Sequence, residues 1–417
     1  MLRNPLFHPN SLPVLTACAV SVMALSATPA HAYQVDAPNR TLNVTPGASP
    51  AETTNDLKGV FNYLINRSDK TSQWTVKFAP GNYYVVSQIP IRNLENTALQ
   101  SDMNKPAKLI KDKTFNSATA GEYLLNFQFG KNLSVSGMQF YGQTPFTASL
   151  DPVWPDQGVY FGSCNGVTVQ NNGFYNFGNA ALRVTTTERD PVPGVNSFNT
   201  VVTNNLFNNI YQISTTPNDE IHGGSSNYVL QNNVFYNLRG SIKFASRTAG
   251  AKNVKILNNK VNGGDHYAFE INNYDDMEIR GNSLQNLKEF AINIYNNPRA
   301  SQSFNWGNNF IIADNLINTV GRGIRFSTEP YADGTLLTPS NVTFTNNSLD
   351  KVSDTSGLPA IAQVNGAIKG LTITGNKLSN IANKKYIGYS SASSNVSYFN
   401  NQVDGKPYGP QQSTASN

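Results

Sequence analysis

Short runs of alternating apolar and polar residues, each closed by Asn-Asn or a near equivalent, recur along most of the chain. They read VTVQNN at Val167–Asn172, VVTNN at Val201–Asn205, YVLQNN at Tyr228–Asn233, VKILNN at Val254–Asn259 and MEIRGN at Met277–Asn282. FIIADN at Phe310–Asn315, VTFTNN at Val342–Asn347, LTITGN at Leu371–Asn376 and VSYFNN at Val396–Asn401 continue the series, and LSVSGM at Leu133–Met138 is an earlier variant. Intervals between the closing Asn residues are 33, 28, 26, 23, 33, 32, 29 and 25. Period-two alternation predicts strands with one buried face. The residue before the closing Asn is Asn, Gly or Asp, the types that tolerate left-handed backbone angles in a sharp turn. A second short strand follows each turn, as in NVFYN or NSLQN. After a variable loop comes a third alternating strand: ALRVT, SIKFA, AFEIN, AINIY or GIRFS.

Three strands per repeat with one Asn at a fixed corner predict an all-β fold, a single-stranded right-handed parallel β-helix of about ten coils. Coils stack at roughly 4.8 Å, so the corner Asn side chains form a hydrogen-bonded ladder inside the stack. A β-propeller requires longer repeats of four strands each, and a β-sandwich has no reason to repeat one Asn corner. Residues 49–66 carry Leu57, Val60, Phe61 and Leu64 at helical spacing. A helix there is expected to cap the N-terminal end of the stack, which solenoids require. The domain is expected over residues 33–404, followed by a disordered polar tail at 405–417.

The first thirty-two residues have the pattern of a secretory signal: Arg3, an uncharged apolar stretch at Leu12–Ala27, and Ala30-His31-Ala32 before a mature start at Tyr33. The alternatives are a membrane anchor, weakened by Pro13, or lipidation at Cys18. The expected destination is periplasmic or extracellular. No later segment is apolar for long enough to span a bilayer. Cys164 is then the only cysteine of the mature chain, which excludes an internal disulfide framework and a thiol zinc cluster. A net charge of +5 suits an acidic partner without demanding one, and no dense basic run points to nucleic acid.

The helix, the strand–Pro-Gly–strand segment WTVKFAPGNYYV at Trp74–Val85 and the repeated Asn-Asn coils together resemble the pectate-lyase-like β-helix superfamily over nearly the whole mature chain. That resemblance implies the fold and leaves activity open among polysaccharide lyases, uronan epimerases, glycoside hydrolases and non-catalytic surface or phage proteins.

Alignment of the third strands predicts an outward row of Asn126, Tyr160, Arg183, Gln212, Lys243, Glu270, Asn293 and Arg325, one per coil. A second row holds Gln128, Gly162, Thr185, Ser214, Ala245, Asn272, Tyr295 and Ser327. Lys243 and Glu270 fall on adjacent coils, with Arg247 beyond Lys243 and Asp265 and His266 just upstream of Glu270. The expected partner is an anionic polysaccharide, lying over a monomeric chain. For elimination or C5-epimerisation of a uronate polymer, Arg183 or Arg325 would neutralise the carboxylate. Lys243, His266 or Tyr295 would move protons, beside Glu270. Lyase-like relatives use Lys or Arg bases on this sheet, and the position of Lys243 resembles theirs. Gln212, Arg247, Asn272, Asn293 and Tyr160 are the further expected substrate contacts. Asp219 and Glu220, in NDEIHGG with His222, offer oxygen ligands for a possible Ca²⁺, as a second acidic pair Asp275-Asp276 does. The same residues also suit a solvated turn. A glycoside hydrolase needs two carboxylates, for which Asp265 and Glu270, or Glu220, are candidates. A non-catalytic glycan binder needs only the Asn, Ser, Thr and Tyr side chains of the rows. The chain lacks the Asp-Pro-His motif of the bacterial alginate epimerases and the Asn-Thr-Asp and Gly-His-Gly signatures of polygalacturonases.

Overall fold

A computed structural model describes residues 32–115, 121–145, 151–192, 197–248, 250–297, 306–330, 334 and 337–409. The expected signal, including Arg3, Cys18 and the apolar stretch, lies outside the described residues except for Ala32. No helix among the described residues is long and apolar enough to cross a membrane.

Among the described residues, strands make up 56% and form two sheets, of 14 and 20 strands. Within the repeats every strand pairs in parallel with its equivalent one repeat later. In the first sheet Val254, Met277, Phe310, Val342, Leu371 and Val396 stand in one register line. Two antiparallel pairs sit at the ends, Tyr33–Asp36 with Thr41–Val44 and Asn401–Val403 with Lys406–Tyr408. The second pair is a departure from the expected disordered tail. Gly405, at φ 75°, turns the chain back so that Lys406–Tyr408 pairs with the final strand. Residues 410–417 lie outside the described residues. The first sheet has more strands than the Asn-Asn count suggests, because its earliest strands, such as Trp74–Phe78 and Glu95–Ser101, end without that pair.

The corner explains why the repeat is legible. Asn171, Asn204, Asn232, Asn258, Asp314, Asn346 and Asn400 have φ between 54° and 58°, and Gly281 and Gly375 take the same place at 68°. The Asn that follows is buried and points into the stack. Asn259 Oδ1 accepts from Asn233 N and Nδ2, both at 3.0 Å. Its Nδ2 donates to Leu230 O and to Asn282 Oδ1, also at 3.0 Å. The same pattern runs from Asn172 to Asn401. Each Asn therefore satisfies buried backbone groups that the turn exposes, and links three coils. Beside the ladder, Phe140, Phe174, Phe207 and Phe235 stack at 5.0, 4.8 and 4.7 Å. These values match the coil spacing.

The expected helix spans Pro50–Asn66. Ser49 is its N-cap and accepts from Glu52 N, and Pro50 opens the first turn. Leu57, Val60, Phe61 and Leu64 are its buried apolar side chains, and Phe61 meets Phe127 edge-on at 6.1 Å. The helix packs on the strands Gly81–Val85 and Ile89–Arg92.

Candidate functional site

The third strand of each coil belongs to the second sheet, and its outward positions line up along the stack. Asn126, Tyr160, Arg183, Ser214, Lys243, Glu270, Asn293 and Arg325 are successive register partners. Gln212 is therefore not in the row. The register slips between Phe177 and Leu182, which places Gln212 opposite Ala180 and moves Ser214 from the second row into the first. Gln212 instead donates to Asn179 Oδ1 at 2.8 Å.

Burial divides the row. Tyr160 is 4% exposed, and its ring lies 4.6 Å from that of Tyr123. Desolvation pushes its hydroxyl well above the usual tyrosine range. Arg183 is 6% exposed, and its Nε and Nη2 donate to Thr216 O at 3.0 and 2.5 Å. Its guanidinium ties the strand to the loop after Ser214, and the carbonyl occupies the edge that a carboxylate would take.

The half-buried centre is different. Lys243 Nζ lies 2.8 Å from Glu270 Oε1, and Ser241 Oγ donates to Glu270 Oε2 at 2.8 Å. Burial pushes the Tyr211 and Tyr267 hydroxyls upward, and the Glu270 charge adds to it in both cases. Those two tyrosines lie near Glu270. Sequence reasoning missed them, since it followed only alternating positions within the third strands. Tyr267 stands directly between His266 and the strand Phe269–Asn272, which was the available signal. The His266 ring meets the Tyr267 ring edge-on at 5.9 Å. Asp265, upstream, pairs with Lys288 at 2.6 Å.

One coil further, Asn293 separates Glu270 from Arg325 in register. It is 6% exposed, and its Oδ1 is buried with no hydrogen-bond partner. Arg325 lies over two rings, Phe290 at 5.2 Å and Tyr295 at 5.7 Å. Its Nε is also buried without a partner, and among the described residues no carboxylate pairs with it. Asn272 Nδ2 donates to Tyr295 O at 3.0 Å, fixing the strand that carries the ring. Phe290 also lies under Arg322, which pairs with Glu289 at 3.4 Å and Asp354 at 3.5 Å.

The remaining candidates lie in the loop after Ser214. Both Asp219 oxygens face His222 Nδ1, at 2.9 and 2.8 Å, and Oδ1 also accepts from the Ile221 and His222 amides. His222 is 1% exposed, with Nε2 3.2 Å from Asp190 O, so it joins two loops. Arg247 Nε is 3.7 Å from Glu220 Oε1. Asp275 and Asp276 accept from Asn308 and Asn309 within the stack. Among the described residues no group of three or more His, Cys, Asp or Glu converges as a metal site would require. Asp219 Oδ1 takes three of these contacts and Oδ2 one, so the carboxylate braces its own loop.

No protein-family model and no curated protein matches the chain. Solved structures do. The surface adhesin PfbA of Streptococcus pneumoniae superposes with a TM-score of 0.61 at 16% identity, covering 86% of this chain and 94% of that one. The catalytic unit of a GH87 α-1,3-glucanase from Streptomyces thermodiastaticus gives 0.57 at 13% identity, covering 91% and 66%. An exopolygalacturonase from Thermotoga maritima gives 0.52 at 10% identity, covering 89% and 93%. All three are right-handed β-helix proteins. The chain shares their fold. At these identities the likeness carries the fold and no activity.

Proposed function

We propose that this chain is an exported polysaccharide-active protein. In this reading it holds a uronic-acid-containing polymer along the row from Lys243 to Arg325 and acts on it as a lyase or C5-epimerase. The observation that carries it is Arg325: a guanidinium in the outward row, held over two rings, with a buried Nε and no paired carboxylate among the described residues. A sugar carboxylate supplies the missing acceptor pair, and the planar fork suits it. Asn293 Oδ1 next to it is a ready acceptor for a sugar hydroxyl.

Neutralising the carboxylate makes the proton on C5 removable. A base takes that proton, the electrons form a C4–C5 double bond, and the C4–O bond breaks while a donor protonates the leaving oxygen. Re-protonation of C5 from the opposite face gives inversion instead. His266 and Lys243 are the proton-moving groups of this proposal, with Tyr267 or Tyr295 as donor. Glu270 positions Lys243. No step runs through Ca²⁺.

One other reading has a specific observation behind it. Glu270 closes onto both Lys243 and Ser241, a satisfied set that suits a glycan binder without turnover. The test is purified protein against alginate, polygalacturonate, hyaluronan and dermatan, with and without Ca²⁺. Ultraviolet absorbance follows an unsaturated uronate, and proton NMR follows deuterium uptake at C5. A signal lost in His266→Ala or Lys243→Ala supports the enzyme. Binding that depends on Arg325 with no product from any polymer leaves the binder.

A further inference from the structure

A cavity of about 640 Å³ lies at the corner where the second strand of a coil bends into the third. Its floor is apolar and built from successive coils: Leu287, Val320 and Val352 are register partners, and each is at most 4% exposed. Gly321 keeps the corner open, because a Cβ there would meet Lys288 O at 1.9 Å. The rim carries Asn286, Thr319, Ser353 and Asn380 together with two lysines, Lys288 and Lys351, and no carboxylate lines the cavity. Lys288 reaches Asp265 outside it and keeps a side chain 73% exposed. Lys351 makes no direct ion pair among the described residues, although its charge and backbone amide help to hold the neighbouring Asp350 carboxylate below its usual range.

The backbone marks the same place. The residue at this bend is left-handed in every repeat from Asn176 to Asn380. In six of these eight coils it is Asn176, Asn209, Asn237, Gly263, Asn286 or Asn380, the types that accept such angles. In the two coils at the middle of the cavity it is Thr319 and Lys351, both at φ 55°. A β-branched or long side chain there is strained, and strain of this kind is retained where the side chain is used.

We infer that this corner groove is a separate binding site for a short acidic oligosaccharide. A sugar ring lies over the shallow floor, with Leu287, Val320 and Val352 packed just beneath it, the amides and hydroxyls of the rim take its hydroxyls, and the two lysines take its carboxylate or sulfate. The groove spans four coils, roughly three steps of ~4.8 Å along the stack, a length that suits a chain of a few sugars. This site stands apart from the Arg325 row and does not depend on it.

The test is methyl NMR of the full chain titrated with a galacturonate tetrasaccharide, and separately with neutral cellotetraose. Leu287, Val320 and Val352 methyls are expected to shift saturably with the acidic sugar alone, less so as salt rises. Lys351→Glu is expected to weaken that affinity about tenfold. Lys351→Asn, the residue that neighbouring coils use, is expected to raise Tm while weakening binding, a split that a merely structural lysine would not give. In Arg325→Gln the groove shifts should persist, even if the row binds nothing. Shifts equal for both sugars, absent for both, unchanged in Lys351→Glu, or lost in Arg325→Gln would each overturn the inference.

Discussion

Lys243 Nζ and Glu270 Oε1 lie 2.8 Å apart across one step of the stack, with side chains 30% and 18% exposed. Because the two residues are direct register partners, the pair is set by the sheet and not by a flexible loop. Glu270 also holds Ser241. The carboxylate is thus the hub of the row's centre, and Lys243 is its dependent.

Replacing Glu270 by Gln removes a negative charge from a surface proposed to receive a polyanion, and frees Lys243. Affinity for an acidic oligosaccharide is expected to rise about three- to tenfold at low salt, and the gain to shrink as salt screens it. Isothermal titration at two ionic strengths measures both. Unchanged affinity would mean that the polymer does not pass over this row.

Arg325→Gln has the opposite sign. With no ion pair to lose among the described residues, the fold should be little affected and Tm nearly unchanged. Binding of acidic oligosaccharides is expected to fall about tenfold to a hundredfold, since a charge-assisted pair is removed. Arg325→Lys should recover part of it, because an ammonium still sits over Phe290 and Tyr295 but cannot offer the planar fork. A variant that binds like the parent chain contradicts the proposed function.

The Asn ladder makes a stability prediction. Asn259→Ala strips acceptors from Asn233 and a donor from Leu230 O, all buried. Destabilisation of roughly 3 kcal/mol is expected in urea unfolding, the penalty of leaving buried polar groups unmade. Asn258→Gly next to it should be near neutral, since φ there is 55° and Gly accepts that angle freely.

Alkaline pH should unfold the chain through its tyrosines. Burial pushes the Tyr83, Tyr160, Tyr228, Tyr274 and Tyr398 hydroxyls above the ordinary value of 10.0. Above pH 10 the unfolded chain loses these protons while the folded chain keeps them, so stability falls as pH rises. Lys111 runs the other way. Desolvation lowers it to about 8, against the opposing pull of Asp156, so its contribution rises with pH between about 8 and its unfolded value of 10.5. The urea midpoint followed from pH 7 to 12 should therefore hold or rise slightly and then drop. Tyr228→Phe should soften the drop.

Asp156 and Lys111 also show what the sequence hid. Lys111 is fully buried, 3.4 Å from Asp156, and donates to Glu122 O and Pro155 O. Asp156 in turn accepts from Thr144 Oγ1 and Gly178 N. Nothing in the local pattern around either residue announces a buried ion pair, since the partners come from segments far apart in the chain. Arg183 and Arg325 make the same point within one row. Both were legible as outward-facing arginines, and only the loop after Ser214, by offering Thr216 O to one of them, separates a structural arginine from one with no carboxylate partner among the described residues.

The amino-acid sequence by itself determined the coil, the corner Asn ladder, the N-terminal helix and most members of the outward row. These follow from local rules repeated coil after coil: period-two alternation, the left-handed tolerance of Asn and Gly, and a fixed corner. The tertiary structure alone decided the register slip that removes Gln212, the tyrosines near Glu270, the pairing of Asp219 with His222 and the strained corner at Thr319 and Lys351. Each of those depends on which residues meet across coils whose loops differ in length, and no local pattern encodes that meeting.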